Sequence, residues 1–242
     1  MSVAARTLPR LHDRRLFVGA ALCILAIVFA GFARSYFLRP WFHHDPLPLL
    51  LHVHGLMMFA WFALFFVQTC LIETHRVALH RKLGIFGVAL AATMLVLSPY
   101  VAFHAAARDV RAHNEAAGFD LVILGYDCMI IALFAGFVAS AIAMRKRGDI
   151  HKRLMLLATL SLLTPAIGRL PFWSSDFEIG NLQILLASDL CVLLCVAADV
   201  SLHGRLHPVF AIGAPLIIAA TYLAYLGVGT DTWMNFARSL VT

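Results

Sequence analysis

The sequence predicts an all-α, polytopic membrane protein built as a seven-helix transmembrane bundle. Three observations lead there. Of 242 residues, 62% are hydrophobic and 13% charged, about half the charged share of a soluble domain. Mean hydropathy is +0.86. Seven apolar runs each approach the ~20 residues needed to cross a bilayer. A water-soluble globule of this composition would expose large apolar patches. The same apolar character excludes a disordered chain and, despite a pI of about 9.4, a nucleic-acid binder.

The spans follow in order. Leu16–Ala33 comes after Arg14 and Arg15; its ending Gly31-Phe32-Ala33 also fits a small-x-small cleavage site, so a removed signal segment is the alternative to a retained helix. Leu49–Ile72 opens with Leu51-His52-Val53-His54-Gly55. Leu83–Phe103 is followed by His104, Leu121–Met144 contains Asp127, and Leu154–Trp173 contains Arg169. Leu182–Val200 contains Asp189 and Asp199, and Val209–Gly229 closes the series. Each must satisfy its own backbone hydrogen bonds in lipid, which makes them helices. The connections are too short for a soluble domain, so residues 1–242 read as one transmembrane domain. Five cysteines (Cys23, Cys70, Cys128, Cys191, Cys195) fall within apolar runs and suit packing rather than a disulfide framework.

Basic residues set the expected orientation. With the N-terminus inside, the inner segments hold Arg6, Arg10, Arg14, Arg15, Arg76, Arg81, Lys82, Arg145, Lys146, Arg147, Lys152, Arg153 and Arg205. The outer ones hold Arg34, Arg39, Arg108, Arg111, Arg169 and Arg238. Lys and Arg are retained on the cytoplasmic side, so the sequence predicts N-inside, C-outside. Asp45, Asp109, Glu115, Asp120, Asp176 and Glu178 add acidic groups to the expected outer side.

Ionisable residues inside a membrane face a partner, a cavity or the bundle interior. Those of this chain collect at two levels. Toward the outside are His52, His54, His104, Asp127, Arg169 and Asp189; toward the inside are Glu73, His75, His80, Asp149, His151, Asp199, His203 and His207. One reading of the outer set is an ion pair of Arg169 with Asp127 or Asp189; the other is Arg169 binding an acidic group such as a haem propionate or lipid phosphate. His52 and His54 point about 200° apart on a helix, whereas His54, Trp61 and Gln68 form an inward stripe at seven-residue steps. On the inner side, His80 and His151 stand at one depth on separate helix ends. Two neutral imidazoles so placed can ligate a haem iron axially; they can also simply hydrogen-bond headgroups. His203-x-x-x-His207 has a metal-ligand spacing on a continuous helix, which Gly204 and Pro208 argue against.

Leu51-His52-Val53-His54-Gly55, Gln68, Leu79-His80-Arg81-Lys82-Leu83-Gly84 and His151-Lys152-Arg153-Leu154-Met155 together resemble a family of uncharacterised bacterial multi-pass membrane proteins, over roughly residues 45–175. This implies the bacterial inner membrane. More distantly, the chain is similar to transmembrane b-type cytochromes, the ascorbate-reducible type and the haem A synthases among them. That similarity implies a four-helix haem bundle from spans two to five, with His80/His151 as inner ligands, His54/His104 as an outer pair and Arg169 beside a propionate. Asp127 stands where a two-haem protein of this kind has histidine, and Glu73-Thr74-His75-Arg76 is one residue shorter than the Glu-x-x-His-Arg signature of haem A synthases.

Three readings remain open. The first is a haem b protein transferring electrons, with a redox or assembly partner protein beside the lipid bilayer. The second is a zinc-dependent lipid hydrolase using some of His75, His151, His203 and His207 with Glu73 or Asp199 as base. The third is an accessory, assembly or permease-like protein without a cofactor.

Overall fold

The computed structural model describes residues 3–42, 46–173 and 182–242, with side chains from Asp13 onward. Asp45, Asp176, Glu178 and the side chains of Arg6 and Arg10 lie outside the described residues. Among the described residues no strand occurs. The helices are α1 (Val3–Phe32), α2 (Leu49–Glu73), α3 (Val77–Arg111), α4 (Ala117–Ala143), α5 (Gly148–Ser161), α6 (Thr164–Ile167), α7 (Leu182–His203), α8 (Pro208–Val228) and α9 (Asp231–Val241). A π turn (Ala33–Phe37) and a 3-10 turn (Arg39–Phe42) follow α1.

Six helical segments are long and apolar enough to cross a membrane: Asp13–Phe37, α2, α3, α4, α7 and α8. The fifth expected span, Leu154–Trp173, is not one continuous helix. Pro165 explains the interruption. It has no N–H for the Ser161 carbonyl one turn back, and its ring crowds that carbonyl. So α5 ends at Ser161 and a single turn, α6, resumes with Pro165 in its first positions.

This broken element lies at the centre. Helices α1, α2, α3, α4, α8 and α7 pack in that order as a closed ring, with α5 against α4 and α8 and α6 against α1 and α7. Every residue from Leu156 to Thr164 is buried. Irregular backbone at membrane depth is tolerated only where protein covers it and its polar groups are satisfied. Protein covers this segment, and several of its polar groups find partners. The Leu162 and Leu163 amides bond three residues back to Thr159 and Leu160, and Ser161 Oγ donates to the Ala158 carbonyl. Beyond the break, Arg169 Nη1 donates to the Pro165 carbonyl (2.8 Å) and Trp173 Nε1 to that of Ile167 (2.7 Å). Gly31 lets α1 approach: a Cβ there would lie 2.1 Å from the Ala166 carbonyl oxygen.

Helix α9 has no counterpart among the expected spans. It is amphipathic and packs Ala237 and Val241 onto Ala102, Ala106 and Ala107 of α3 and Leu121 and Leu124 of α4. Thr230 caps it by accepting from the Trp233 amide. The Trp233 indole donates to the Leu121 carbonyl (2.9 Å).

Candidate functional site

One end of the bundle gathers the start of α3, the ends of α2, α4 and α7, and the starts of α5 and α8. There His80 of α3 and His151 of α5 meet with ring centroids 6.4 Å apart and planes at 83°. Each ring is held through Nδ1. His151 Nδ1–H donates to the Ala141 carbonyl at the end of α4 (2.8 Å), which leaves its Nε2 lone pair free when the ring is neutral. His80 is served by Gln68 of α2. With its amide nitrogen toward the ring, Gln68 donates to His80 Nδ1 (2.7 Å) and the His80 carbonyl (3.3 Å), while its oxygen accepts from the Gly84 amide (3.1 Å). That arrangement puts the proton of neutral His80 on Nε2. The pair is therefore asymmetric, one Nε2 protonated and the other bare.

The stripe read from the sequence faces inward as expected. Trp61 is buried edge-on against Phe134 (4.7 Å, 83°) and Gln68 reaches His80. His54, its third member, is partly buried within electrostatic range of Arg169.

Beside the imidazole pair lies an ion-pair network that the sequence reading did not assemble. Arg153 holds Asp199 bidentately, Nη2–Oδ1 at 2.7 Å and Nε–Oδ2 at 3.1 Å, with side chains 3% and 0% exposed. Arg153 Nη1 also donates to the Asp149 carbonyl (2.9 Å). Lys152 binds both oxygens of Asp13 from α1. His203 Nδ1–H donates to the Asp199 carbonyl (2.8 Å), and its Nε2 stands 3.4 Å from Asp13 Oδ1. His207 caps α8 by accepting from the Val209 amide (3.2 Å) and sets Nε2 3.6 Å from Asp149. A signal for the central pair was present: Asp199 sits in an apolar span and needs a cation, and Arg153 is expected at the same end. Nothing in the pattern flagged Asp13.

The residues considered for zinc are spread out. His75, at φ 60° in the α2–α3 turn, takes a hydrogen bond from Arg14 (2.9 Å), and Glu73 pairs with Arg15 (3.6 Å). His151 and His207 are engaged as described. Asp13, Asp199 and His203 do place ligand atoms within 4.8 Å of one another. Both carboxylates already carry a cation, Lys152 and Arg153. The charge in that group is balanced without a metal.

The outer set has separate surroundings. His104 is exposed and stacks on Tyr100 of its own helix (4.6 Å, 27°), whereas His54 is partly buried. Arg169 lies over the Phe32 ring (4.9 Å) and within electrostatic range of Asp127 and His54. Asp189 lies beside Tyr222 of α8. The arrangement offers a pair of neighbouring imidazoles at one end and an Arg169-centred polar cluster toward the other.

Comparison with known proteins finds no matching family model, no similar curated protein and no similar solved structure.

Proposed function

We propose that the chain is a membrane electron-transfer protein that holds one haem b between His80 and His151, in the bacterial inner membrane. The observation that carries this reading is the ring separation of 6.4 Å. It is two imidazole–metal bonds of about 2 Å each plus the reach of each ring nitrogen from its centroid. The donor set fits as well. His151 already presents a bare Nε2, and its Nδ1 contact with a carbonyl is the usual support of a ligating histidine. His80 fits once its proton moves from Nε2 to Nδ1. Gln68 can follow by turning its amide over, so that its oxygen accepts from Nδ1–H, at the cost of its contacts with the His80 carbonyl and the Gly84 amide. A haem held by two histidines supplies a one-electron couple and has no open iron position. The exposed His104 supports a single site rather than two.

Orientation belongs to the same proposal: seven crossings, the fifth made by α5, the break and α6, with N-terminus inside and C-terminus outside. The excess of Lys and Arg around the His80 end supports it.

The test is the absorption spectrum of the full chain purified in detergent after expression with haem available. A Soret band is expected, lost or displaced in His80→Ala and His151→Ala. A colourless protein that also fails to take up added haem overturns the proposal, as does an unchanged band in both variants.

A further inference from the structure

Helix α9, at 11 residues, is about 16 Å long by its rise per residue, roughly half of the ~30 Å hydrocarbon thickness. It cannot cross the bilayer. Helix α8 fixes its level. The 21 residues of α8 span about 31 Å, so a helix that starts at the His80 end reaches the opposite boundary of the hydrocarbon near Gly229 and Thr230. The surface on which α9 docks begins inside that boundary. Ala102 belongs to the apolar run of α3 that ends at Phe103, and Leu121 and Leu124 open the apolar run of α4.

The dock is fitted to this helix. Gly125 makes room for the Trp233 ring: a Cβ there would lie 2.6 Å from Cζ2 of the indole and 2.7 Å from Cγ1 of Val228. The indole N–H is answered by the Leu121 carbonyl. Held in this way, α9 presents three sectors. Ala237 and Val241 are buried against α3 and α4. Phe236 and Leu240, one turn apart and about 40° apart around the axis, form the next sector and are 54% and 50% exposed. Asp231, Asn235, Arg238 and Ser239 are exposed on the remaining side. Phe103 and Phe119, in the adjoining turns of α3 and α4, are exposed as well. At this depth the medium around the bundle is hydrocarbon grading into headgroups. An exposed apolar sector there meets acyl chains, and a polar one meets headgroups and water.

We propose that α9 is an interfacial helix, seated with Phe236 and Leu240 among the acyl chains of the leaflet opposite the His80 end and with its polar sector at the headgroups. Short amphipathic helices bind the membrane boundary in this way, through buried apolar area and any attraction of basic side chains to anionic lipid. Here the first contribution acts alone. Asp231 and Arg238 are the charged side chains of α9 and offset one another, so zwitterionic and anionic lipid serve equally. The proposal does not rest on the haem reading.

Site-directed photocrosslinking of the full chain in vesicles tests it. p-Benzoylphenylalanine is placed in turn at Phe236, Leu240, Asn235 and Arg238, all of them exposed, so that no buried contact is disturbed. The vesicles are dioleoylphosphatidylcholine alone or mixed with dioleoylphosphatidylglycerol, and intact mass reads the adducts. Lipid adducts are expected from positions 236 and 240 in both kinds of vesicle, with their loss at 235 and 238. Absence of lipid adducts at both 236 and 240 overturns the proposal, as do equal lipid adducts at all four positions. Adducts at the mass of a dimer make a second copy of the chain the occupant and overturn it too. Lipid adducts confined to the phosphatidylglycerol vesicles overturn the claim that headgroup charge is immaterial.

Discussion

Gln68 is one of the least conspicuous polar residues in the sequence and has the most consequential position, because its amide decides which His80 nitrogen carries the proton. If the pair binds haem, Gln68→Leu removes an outer support of a ligand, a change that weakens metal-site affinity by about 10- to 100-fold. Haem titration of the variant reads this; unchanged affinity removes Gln68 from the site. The Arg153–Asp199 pair makes a different demand. Taking one partner from a buried pair leaves a bare charge and costs about 3–5 kcal/mol. Asp199→Asn should therefore lower the thermal midpoint sharply, and the double change Arg153→Met with Asp199→Leu should recover much of the loss. At the neighbouring His207, outside the spans, burial and the nearby Arg153 charge hold the imidazole below its ordinary range, although Asp149 pulls the other way. The folded state thus resists protonation more than the unfolded chain does. Stability present above about pH 6.5, the ordinary imidazole value, is lost as pH falls toward the depressed one. His207→Gln should flatten that acid-side decline in unfolding midpoint between pH 8 and 5, and an equal slope in both proteins would remove His207 as its source.

At the scale of elements, the close approach of α1 to α6 hangs on Gly31. A methyl placed 2.1 Å from a backbone oxygen forces the two segments apart. Gly31→Ala should cost about 1–3 kcal/mol, visible as a lower unfolding midpoint; a neutral result would show that α1 moves freely over the break. The long apolar helices were legible because twenty apolar residues have one stable answer in lipid. The interruption at Leu162–Leu163 was not, although Pro165 stood in plain view. Prolines also lie inside α3 at Pro99 and α8 at Pro215 without breaking them, so the residue alone does not decide. What differs is a central place, where the surrounding helices bury the irregular backbone. Helix α9 was missed for a related reason: at 11 residues it is too short to read as a span, and its apolar periodicity matters only once α3 and α4 supply a surface. The pairing of His80 with His151 was legible from depth. Their supports were not, since Gln68 and Ala141 come from other helices and leave no local pattern.

At the scale of the molecule, six continuous helices enclose one discontinuous segment whose polar residues are answered by helices on either side of it in the chain. Arg153 lies in a segment made before α7, and its counter-charge, Asp199, is the eighteenth residue of that later helix. During synthesis the guanidinium must therefore wait, in water or at the bilayer surface, until some fifty further residues have emerged. On the proposed seven-crossing topology, residues 148–173 are then the last part of the first five crossings to reach final depth, settling only as α7 and α8 close around them. Chains truncated ahead of residue 182, or carrying Asp199→Leu, should leave a reporter fused after Trp173 on the same side as one placed at Lys146. The full-length chain should carry the two on opposite sides. Identical reporter placement with and without Asp199 would mean that the segment enters unaided.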